Sequence, residues 1–276
     1  MRLAIDTAAA RWLADARAEA WQPPRQPRLP LVLAGVPVGS VAEGVLDEIA
    51  FQGLQDGRYV LLKEERGTGL AWHLDAPGPE ATPALNALAE ALRAQGCAGP
   101  WRNEPLAVCN PQGEPIATIE RGLVRVLGIA TRAVHLVGLA PCGRMWLQLR
   151  AQTKPNNPGM WDTLMGGMVS AADTVPQALE RETWEEAGLR LSALQDMAHG
   201  GSLVFSRPSR EGGGVGYMVE RIDWFRCAVP EGVEPCNQDG EVERFELASV
   251  DGVGERLGAG LFTLEAGLVV GACCGG

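Results

Sequence analysis

One stretch of the chain, Gly166 to Leu189, carries helix signals at both of its ends. Thr174 and Gln177 stand three residues apart, which is the spacing of a capping box at a helix N-terminus. Gly188 stands where a glycine commonly ends a helix, because glycine adopts the left-handed conformation without strain. The spacing therefore predicts an α-helix from about residue 175 to residue 187.

The predicted helix carries its acidic residues in an unusual place. Glu182, Glu185 and Glu186 are related by i,i+3 and i,i+4 spacings, so they share one face. The apolar residues of that same face are Val175, Ala178 and Leu179. The acids therefore continue the apolar stripe, although a solvated face should lie opposite it. Carboxylates turned towards the protein are costly without a cation, and a dense set of oxygen ligands suits Mg²⁺ or Mn²⁺.

Length and charge limit the class of protein. The 276 residues are enough for one large domain or two ordinary ones, and 46% hydrophobic with 21% charged residues describes a globular protein. The net charge of −10 argues against nucleic acid or an anionic membrane surface as the main partner, since both attract basic patches. A small phosphate-bearing molecule can still bind if metal ions supply positive charge.

The cysteines and the apolar segments predict a cytoplasmic protein. Seven cysteines show neither a C-x-x-C pair nor the spacing of a zinc site, which suits reduced thiols. The N-terminus has Arg2 and Asp6 and lacks a long apolar run, so no signal peptide is predicted. The apolar segment 261–274 is short and contains Glu265, so it is not predicted to span a bilayer.

The chain divides into two blocks by its element pattern. The first mixes short helices and strands and predicts a small α/β accessory domain over residues 1–125, followed by a second domain over 126–276. In the first block, helices are predicted over 7–20, over 41–51 and from residue 82, and a strand or hairpin over 31–41. In the second block, strands flank the acidic helix and are predicted over 133–139, 145–149, 201–205, 217–229 and 241–247.

The acidic stretch resembles the signature of the Nudix family, G-x5-E-x7-R-E-U-x-E-E-x-G-U, in which U is a bulky aliphatic residue. The residues that match at the same spacings are Gly167, Arg181, Glu182, Glu185, Glu186, Gly188 and Leu189. Asp173 replaces the first glutamate of the signature, and Thr183 replaces its first aliphatic residue. The resemblance implies an α/β fold, the Nudix α/β/α sandwich, preceded here by the small N-terminal α/β domain.

Shorter motifs extend the resemblance over roughly residues 30 to 260. They include Trp101-Arg102-Asn103-Glu104, Ala133-Val134-His135-Leu136, Pro158-Gly159-Met160 and Asp239-Gly240-Glu241-Val242-Glu243. In this order they resemble the Nudix subfamily whose catalytic domain follows a domain related to the N-terminal part of fungal thiamine pyrophosphokinases. The resemblance implies that the substrate is thiamine diphosphate or a damaged analogue, oxidised or hydroxyl-substituted, which is cut to the monophosphate and phosphate.

The same resemblance assigns roles to residues of the acidic helix. It implies a bound Mg²⁺, or Mn²⁺ in its place, with the ligands Glu182, Glu185, Glu186 and the carbonyl of Gly167. Glu185 and Glu186 are thereby also catalytic, and Arg181 orients a ligand because it lies one turn before Glu185. In this family the general base is often a glutamate outside the signature. Glu241 is the first candidate and Glu243 the second, although both could equally lie on a solvated strand face.

Cations and aromatic residues near the signature are candidates for substrate binding. Arg150 and Lys154 lie between a predicted strand and the signature, where the diphosphate of a substrate is expected, although both could be ordinary surface charges. Trp161 could face a flat heteroaromatic ring, and it stands where this subfamily is expected to have an aliphatic residue. His135 lies in an apolar strand and is predicted to be a hydrogen-bonded core histidine rather than a ligand.

Two other functions remain open. The chain could be a nucleotide-sugar or dinucleotide pyrophosphatase, for example one that acts on ADP-ribose. It could be a catalytically silent Nudix module that only binds a ligand, although three mutually repelling acids argue against that. An isomerase of isopentenyl diphosphate shares the fold, but its cysteine-bearing signature is not seen in this sequence. The expected partner is a small diphosphate, and residues 1–125 could shape the pocket or form a homodimer interface.

Overall fold

The computed structural model describes residues 7–52, 54, 57–67 and 69–275. We call the described residues up to 129 the N-terminal part and those from 130 onwards the C-terminal part. Helices of the N-terminal part are α1 (Thr7–Ala20), α2 (Asp47–Gln52) and α3 (Ala81–Ala94). Its strands are β1 (Arg28–Leu33), β2 (Val36–Ala42), β3 (Leu61–Glu65), β4 (Leu70–Leu74), β5 (Pro105–Cys109) and β6 (Pro115–Glu120).

The C-terminal part contains the longer strands and the acidic helix. Its strands are β7 (Ala130–Leu139), β8 (Met145–Arg150), β9 (Trp161–Asp162), β10 (Met165–Met168), β11 (Gln195–Pro208), β12 (Tyr217–Ala228) and β13 (Val242–Ala248). Its helices are α4 (Val175–Ala187), α5 (Val250–Gly258) and α6 (Leu264–Cys273). No helix among the described residues is both long and apolar enough to cross a membrane.

The N-terminal part is built on a four-stranded sheet in the order β2-β1-β4-β3, in which β1 and β4 run parallel. Helix α3 is amphipathic, and its leucines Leu85, Leu88 and Leu92 are fully buried in the same core as this sheet. Burying each such side chain stabilises the fold by about 1.5–3 kcal/mol. Strands β5 and β6 form a separate antiparallel hairpin whose apolar residues join the same core.

One predicted element of the N-terminal part differs from the structure. The helix expected over 41–51 begins only at Asp47, because Val41 and Ala42 pair with Leu29 and Arg28 in the β1–β2 hairpin. Local propensity did not distinguish the two arrangements, and pairing with a neighbouring strand decided between them. The helices expected over 7–20 and from residue 82 are confirmed as α1 and α3.

The C-terminal part is a sheet enclosed between helices. Its main strand order is β11-β12-β7-β8-β13, with β10 pairing to β7 and β9 to β8. Side chains of β7 alternate between the two faces, so Val134 and Leu136 pack with α4 while Ala133 and Val137 join the core shared with α1, α5 and α6. The predicted α/β class is confirmed, and the layers are helix, sheet and helix.

Helix α4 forms as its end signals predict. The hydroxyl of Thr174 accepts a hydrogen bond from the N–H of Gln177, and the Gln177 side chain accepts one from the N–H of Thr174. Gly188 ends the helix with a φ of 63°, the left-handed conformation that glycine favours. The capping box and the glycine cap are therefore both confirmed.

The hydrophobic cores do not follow the predicted domain division residue by residue. Helix α1 buries Leu13 and Ala16 in the core of the C-terminal part, although it lies in the N-terminal part of the chain. The core of the N-terminal part continues to Ile129 and also takes in Met168 from β10. The division at residue 125 stays a prediction, and the two parts pack directly against each other.

Candidate functional site

A cavity of about 1270 Å³ lies between the two parts of the chain. Its lining includes six of the residues singled out in the sequence, namely Arg150, Lys154, Gly167, Glu182, Glu186 and Glu241. Strand β8, strand β10, helix α4 and the segment before β13 therefore bring these residues to one place. The other predicted site residues, Arg181, Glu185 and Trp161, lie outside this lining as far as the chain is described.

Glu186 is the most buried acid of helix α4, with 2% of its surface exposed. Its Oε2 atom accepts hydrogen bonds from the N–H of Gly166 at 3.0 Å and from Nε2 of Gln148 at 2.9 Å. Burial raises the pKa of Glu186 to about 7, the Gly166 N–H opposes that rise, and the neighbouring charge of Glu182 adds to it. The carboxylate is thus held by two donors, and among the described residues it forms no close ion pair, although the charge of Lys154 acts on it from farther away.

Glu182 lies one helical turn earlier, against the backbone of β10. A Cβ atom on Gly167 would lie only 2.1 Å from Cδ of Glu182, so no residue with a side chain fits at position 167 unless Glu182 moves. Burial raises the pKa of Glu182 to about 7; Arg181 opposes the rise, and Glu185 adds to it. Glycine at this position therefore lets the carboxylate approach the strand closely.

Arg181 connects the acids of α4 to one another. Its Nη1 atom donates to Glu182 and to Glu185 at 2.9 Å each, and its Nε atom donates to Asp173 at 2.8 Å. Burial would lower the pKa of Arg181, but these three carboxylates outweigh it and the pKa is raised. Asp173, which departs from the Nudix signature, thus supports the arginine despite its shorter side chain.

The three acids do not share one buried face as the spacing predicts. The Glu185 side chain is 43% exposed and accepts a hydrogen bond from Arg181 at 2.9 Å, because its i,i+3 offset from Glu182 places it on the opposite side of Glu182 from Glu186. Among the described residues, no three His, Cys, Asp or Glu side chains converge on a point where they could hold one metal ion. The chemistry of the cavity nevertheless fits a hard cation, since Glu182 and Glu186 present buried oxygens that repel each other.

The cations of the cavity are held by acids of neighbouring elements. Arg150 donates from Nη1 to Asp162 at 3.3 Å and from Nη2 to the carbonyl of Asn156 at 3.2 Å. Its Nε atom is buried and has no hydrogen-bond partner in the described chain. Lys154 is paired with Glu241, and burial together with the charge of Arg150 lowers its pKa. Arg150 can therefore bind an anionic ligand through Nε, and Lys154 can bind one in place of Glu241.

His135 is a hydrogen-bonded core histidine that also lines the cavity. Its Nδ1 atom lies 3.0 Å from the hydroxyl of Thr163, and that hydroxyl donates its only proton to the carbonyl of Met165 at 2.7 Å. Nδ1 must therefore be the donor to Thr163, because the hydroxyl oxygen can only accept in this contact. The predicted core role is confirmed by this bond.

Trp161 lies in the core of the C-terminal part instead of lining the cavity. It is 7% exposed, and its ring faces the guanidinium of Arg256 at 4.7 Å and that of Arg244 at 5.3 Å. The residues on either side of it, Met160 and Asp162, do line the cavity. A contact between Trp161 and substrate stays a prediction.

Four residues of the site were not identified from the sequence, namely Gln148, Asp162, Arg125 and Glu211. Gln148 had one usable signal, since it interrupts the apolar residues Leu147 and Leu149 in a strand that is buried on both faces. Arg125 and Glu211 gave no local signal, because distant segments bring them together. Such residues can be found only from the folded chain.

Comparison with known proteins gives a family match in the C-terminal part. Residues 130–262 match the family model for the NUDIX domain. "Uncharacterized protein YJR142W" of Saccharomyces cerevisiae is 28% identical over 166 residues, which are 54% of this chain and 47% of that protein. "Uncharacterized Nudix hydrolase PA4841" of Pseudomonas aeruginosa is 31% identical over 105 residues, which are 38% of this chain and 60% of that protein.

A third relative is an enzyme of a different reaction class. The isopentenyl-diphosphate Delta-isomerase of Corynebacterium glutamicum is 29% identical over 146 residues, which are 52% of this chain and 76% of that protein. The chain spans only about half of the yeast relative and three fifths of the Pseudomonas relative. The match to the NUDIX domain model includes the acidic helix and Gly167, and it spans just under half of the 276 residues.

Proposed function

We propose that the protein hydrolyses an organic diphosphate with the help of a divalent cation. The observation that carries the proposal is that the buried acids Glu182 and Glu186 line the same cavity as the cations Arg150 and Lys154. A diphosphate presents clustered negative charge, which is bound best by cationic donors together with a metal ion held on carboxylates. The Nudix domain and the Nudix hydrolase relative support the same class of reaction.

A divalent ion, such as the Mg²⁺ or Mn²⁺ that Nudix hydrolases generally use, would be held by the set Glu182, Glu185, Glu186 and the carbonyl of Gly167. When bound, such an ion neutralises phosphate charge and activates water. Arg181 then acts as a positioning residue, because it holds Glu182 and Glu185 through one nitrogen. Arg150 and Lys154 bind the phosphate oxygens that the metal ion does not reach.

Glu241 is proposed as the general base. Its carboxylate is paired with the ammonium of Lys154, which lies in the same cavity. A substrate phosphate that binds Lys154 frees Glu241 to take a proton from the attacking water. The water oxygen then forms a bond to phosphorus, and the bond from that phosphorus to the bridging oxygen breaks. Binding of substrate and activation of water are linked in this way through one ion pair.

The substrate is proposed to be thiamine diphosphate or, preferentially, one of its damaged forms. This finer proposal rests on the order of sequence motifs outside the acidic helix. The isomerase relative supports only the coarser point, since its name also specifies a small organic diphosphate. An enzyme that removes damaged cofactor must spare the intact cofactor, so kcat/KM should favour the hydroxyl-substituted or oxidised analogue.

A competition assay tests both levels of the proposal. Oxythiamine diphosphate, thiamine diphosphate, ADP-ribose and isopentenyl diphosphate are supplied at equal concentration with Mg²⁺, and all products are separated by chromatography. We expect oxythiamine monophosphate and phosphate as the main products. If ADP-ribose is consumed about tenfold faster, a dinucleotide pyrophosphatase replaces the thiamine proposal. Isomerised isopentenyl diphosphate without phosphate release, or no product at all, would overturn hydrolysis itself.

A further inference from the structure

One wall of the cavity is built jointly by both parts of the chain. Arg121 and Arg125 reach it from the segment that precedes β7, and Gly99 from the segment after α3. Glu211 and Gly212 reach it from the loop between β11 and β12. These five residues meet only because the loop lies against the N-terminal part.

A backbone hydrogen bond and the half-buried Arg28 fix that wall. The N–H of Tyr217 donates to the carbonyl of Arg125 at 2.7 Å. Arg28 donates from Nη1 to the carbonyl of Val215 at 2.5 Å and from Nη2 to the carbonyl of Val126 at 3.0 Å. Its guanidinium therefore clamps the β11–β12 loop to the N-terminal part, so side chains on this wall are held at set positions.

Glu211 forms only a loose ion pair with this wall, as far as the chain is described. Its side chain is 19% exposed, and its nearest cation, Nε of Arg125, lies 3.6 Å away, which is beyond a normal hydrogen bond. The carboxylate accepts no hydrogen bond among those found in the described chain. Oε2 of Glu211 lies close to the backbone of Gly99, and a Cβ atom at position 99 would be only 2.7 Å from it. Glycine at this position therefore makes room for the carboxylate. Burial raises the pKa of Glu211, and Arg125 opposes the rise.

A small side pocket opens beside Glu211. Its volume is about 40 Å³, and its lining includes Glu211, Asn156 and the arginines Arg102, Arg121 and Arg125. Such a volume accommodates about three water-sized groups, enough for the polar edge of a ring but not for a ring system. The pocket offers one anionic acceptor and several cationic donors. A ligand edge that carries an N–H beside an oxygen or nitrogen acceptor matches both.

A largely buried carboxylate that accepts no hydrogen bond from the protein is costly, and a ligand that supplies a donor lowers that cost. We propose that Glu211 is a specificity-determining residue, which accepts a hydrogen bond from an N–H group of the substrate while Arg125 donates to the adjacent acceptor. The substrate class is then a diphosphate whose organic group has an amide-like or amidine-like edge, rather than a hydrocarbon chain. This inference rests on the proposed diphosphate hydrolysis and assigns recognition to a wall shared by both parts.

The test compares two kinds of substrate in the full-length protein. Oxythiamine diphosphate and ADP-ribose carry an N–H beside an acceptor, whereas methyl diphosphate carries neither. Glu211→Met should lower kcat/KM for whichever heterocyclic substrate is used by about 10- to 100-fold, as expected for one hydrogen bond to a charged group. The same variant should change kcat/KM for methyl diphosphate less than about threefold, since the reacting centre is untouched. Glu231→Met, an exposed residue outside the cavity, is the matched control.

Each other outcome overturns the inference. An equal loss on methyl diphosphate means that Glu211 only supports the fold, and no loss on any substrate means that it does not contact the ligand. If the wild-type protein hydrolyses nothing, the proposed function fails separately. Calorimetric titration with oxythiamine diphosphate and ADP-ribose then decides the role of Glu211. Binding by the wild type that is lost in Glu211→Met supports it, and any other pattern overturns it.

Discussion

Gln148 donates a hydrogen bond from Nε2 to Oε2 of Glu186 across 2.9 Å, and this contact joins strand β8 to helix α4. Both residues are buried, with 1% and 2% of their surfaces exposed. The backbone N–H of Gly166 donates to the same oxygen. The two donors offset part of the cost of burying the carboxylate, and they fix its direction beside the cavity.

Gln148→Leu should therefore reduce activity, although Gln148 is not expected to touch the substrate. A hydrogen bond to a charged group contributes about 1.5–3 kcal/mol, so we expect kcat to fall at least about tenfold. Phosphate release and thermal unfolding are measured together, with the exposed Gln195→Leu as control. An unchanged kcat would mean that Gly166 alone positions Glu186.

Glu186→Gln should be more damaging, because it keeps the shape of the side chain and removes its charge. We expect kcat to fall by at least about 10²-fold, consistent with an electrostatic contact worth about 3 kcal/mol in the transition state. Glu180→Gln is the matched control, since Glu180 lies exposed on the same helix. Comparable activity of the two variants would exclude α4 as the catalytic element.

Removal of divalent ions should abolish hydrolysis and leave the fold intact. The acids of α4 lie beside an assembled core of apolar residues, so packing holds the helix in place when the ion is removed. Activity and far-ultraviolet circular dichroism are recorded in chelator and again after Mg²⁺ is added back. Full activity in chelator would refute a metal-dependent reaction.

Glu182→Gln should stabilise the metal-free protein at alkaline pH. The pKa of Glu182 is raised from 4.5 to about 7, so its charge costs folding free energy above that pH and the cost fades as pH falls towards 5. We expect the free energy of unfolding in chelator at pH 8 to rise by about 1–3 kcal/mol in the variant. Urea unfolding measures it. A less stable variant would show that the charge is compensated by Arg181.

Asp223 should affect the free energy of unfolding with a pH dependence opposite to that of Glu182. Burial alone would raise its pKa, but hydrogen bonds from Ser202, Arg132 and Arg221 outweigh it and bring the pKa to about 2. A carboxylate with a lowered pKa stabilises the fold when the pH is above its ordinary pKa of 3.8. This stabilisation is lost as the pH falls towards 2. Asp223→Asn should lose about 2 kcal/mol at pH 7 and much less at pH 2. Urea unfolding at the two pH values tests this, and equal losses would contradict it.

Helix α4 was predictable because its signals are local. The capping box of Thr174 and Gln177 and the left-handed Gly188 act over three or four residues, and they operate in any fold that leaves the helix ends free. The spacing of Glu182 and Glu186 likewise requires that both acids face the same side. The α/β class and the acidic centre of the site therefore follow from the sequence alone.

Features that depend on long-range pairing were not predictable in this way. The strand pairing of Val41 and Ala42 displaced an expected helix, and Glu185 is 43% exposed although Glu186 is buried. Gln148 became a partner of Glu186 only when β8 packed beneath α4.

The wall of the cavity shows the same limit most clearly. Arg125 and Glu211 are far apart along the chain but close in space. Their proximity depends on Arg28, which clamps the β11–β12 loop to the N-terminal part. The sequence by itself determined which residues carry the acidic charge of helix α4, because that information lies in short-range spacing. Only the tertiary structure decided which distant side chains surround them, because hydrogen bonds and packing between remote segments are set by the whole fold.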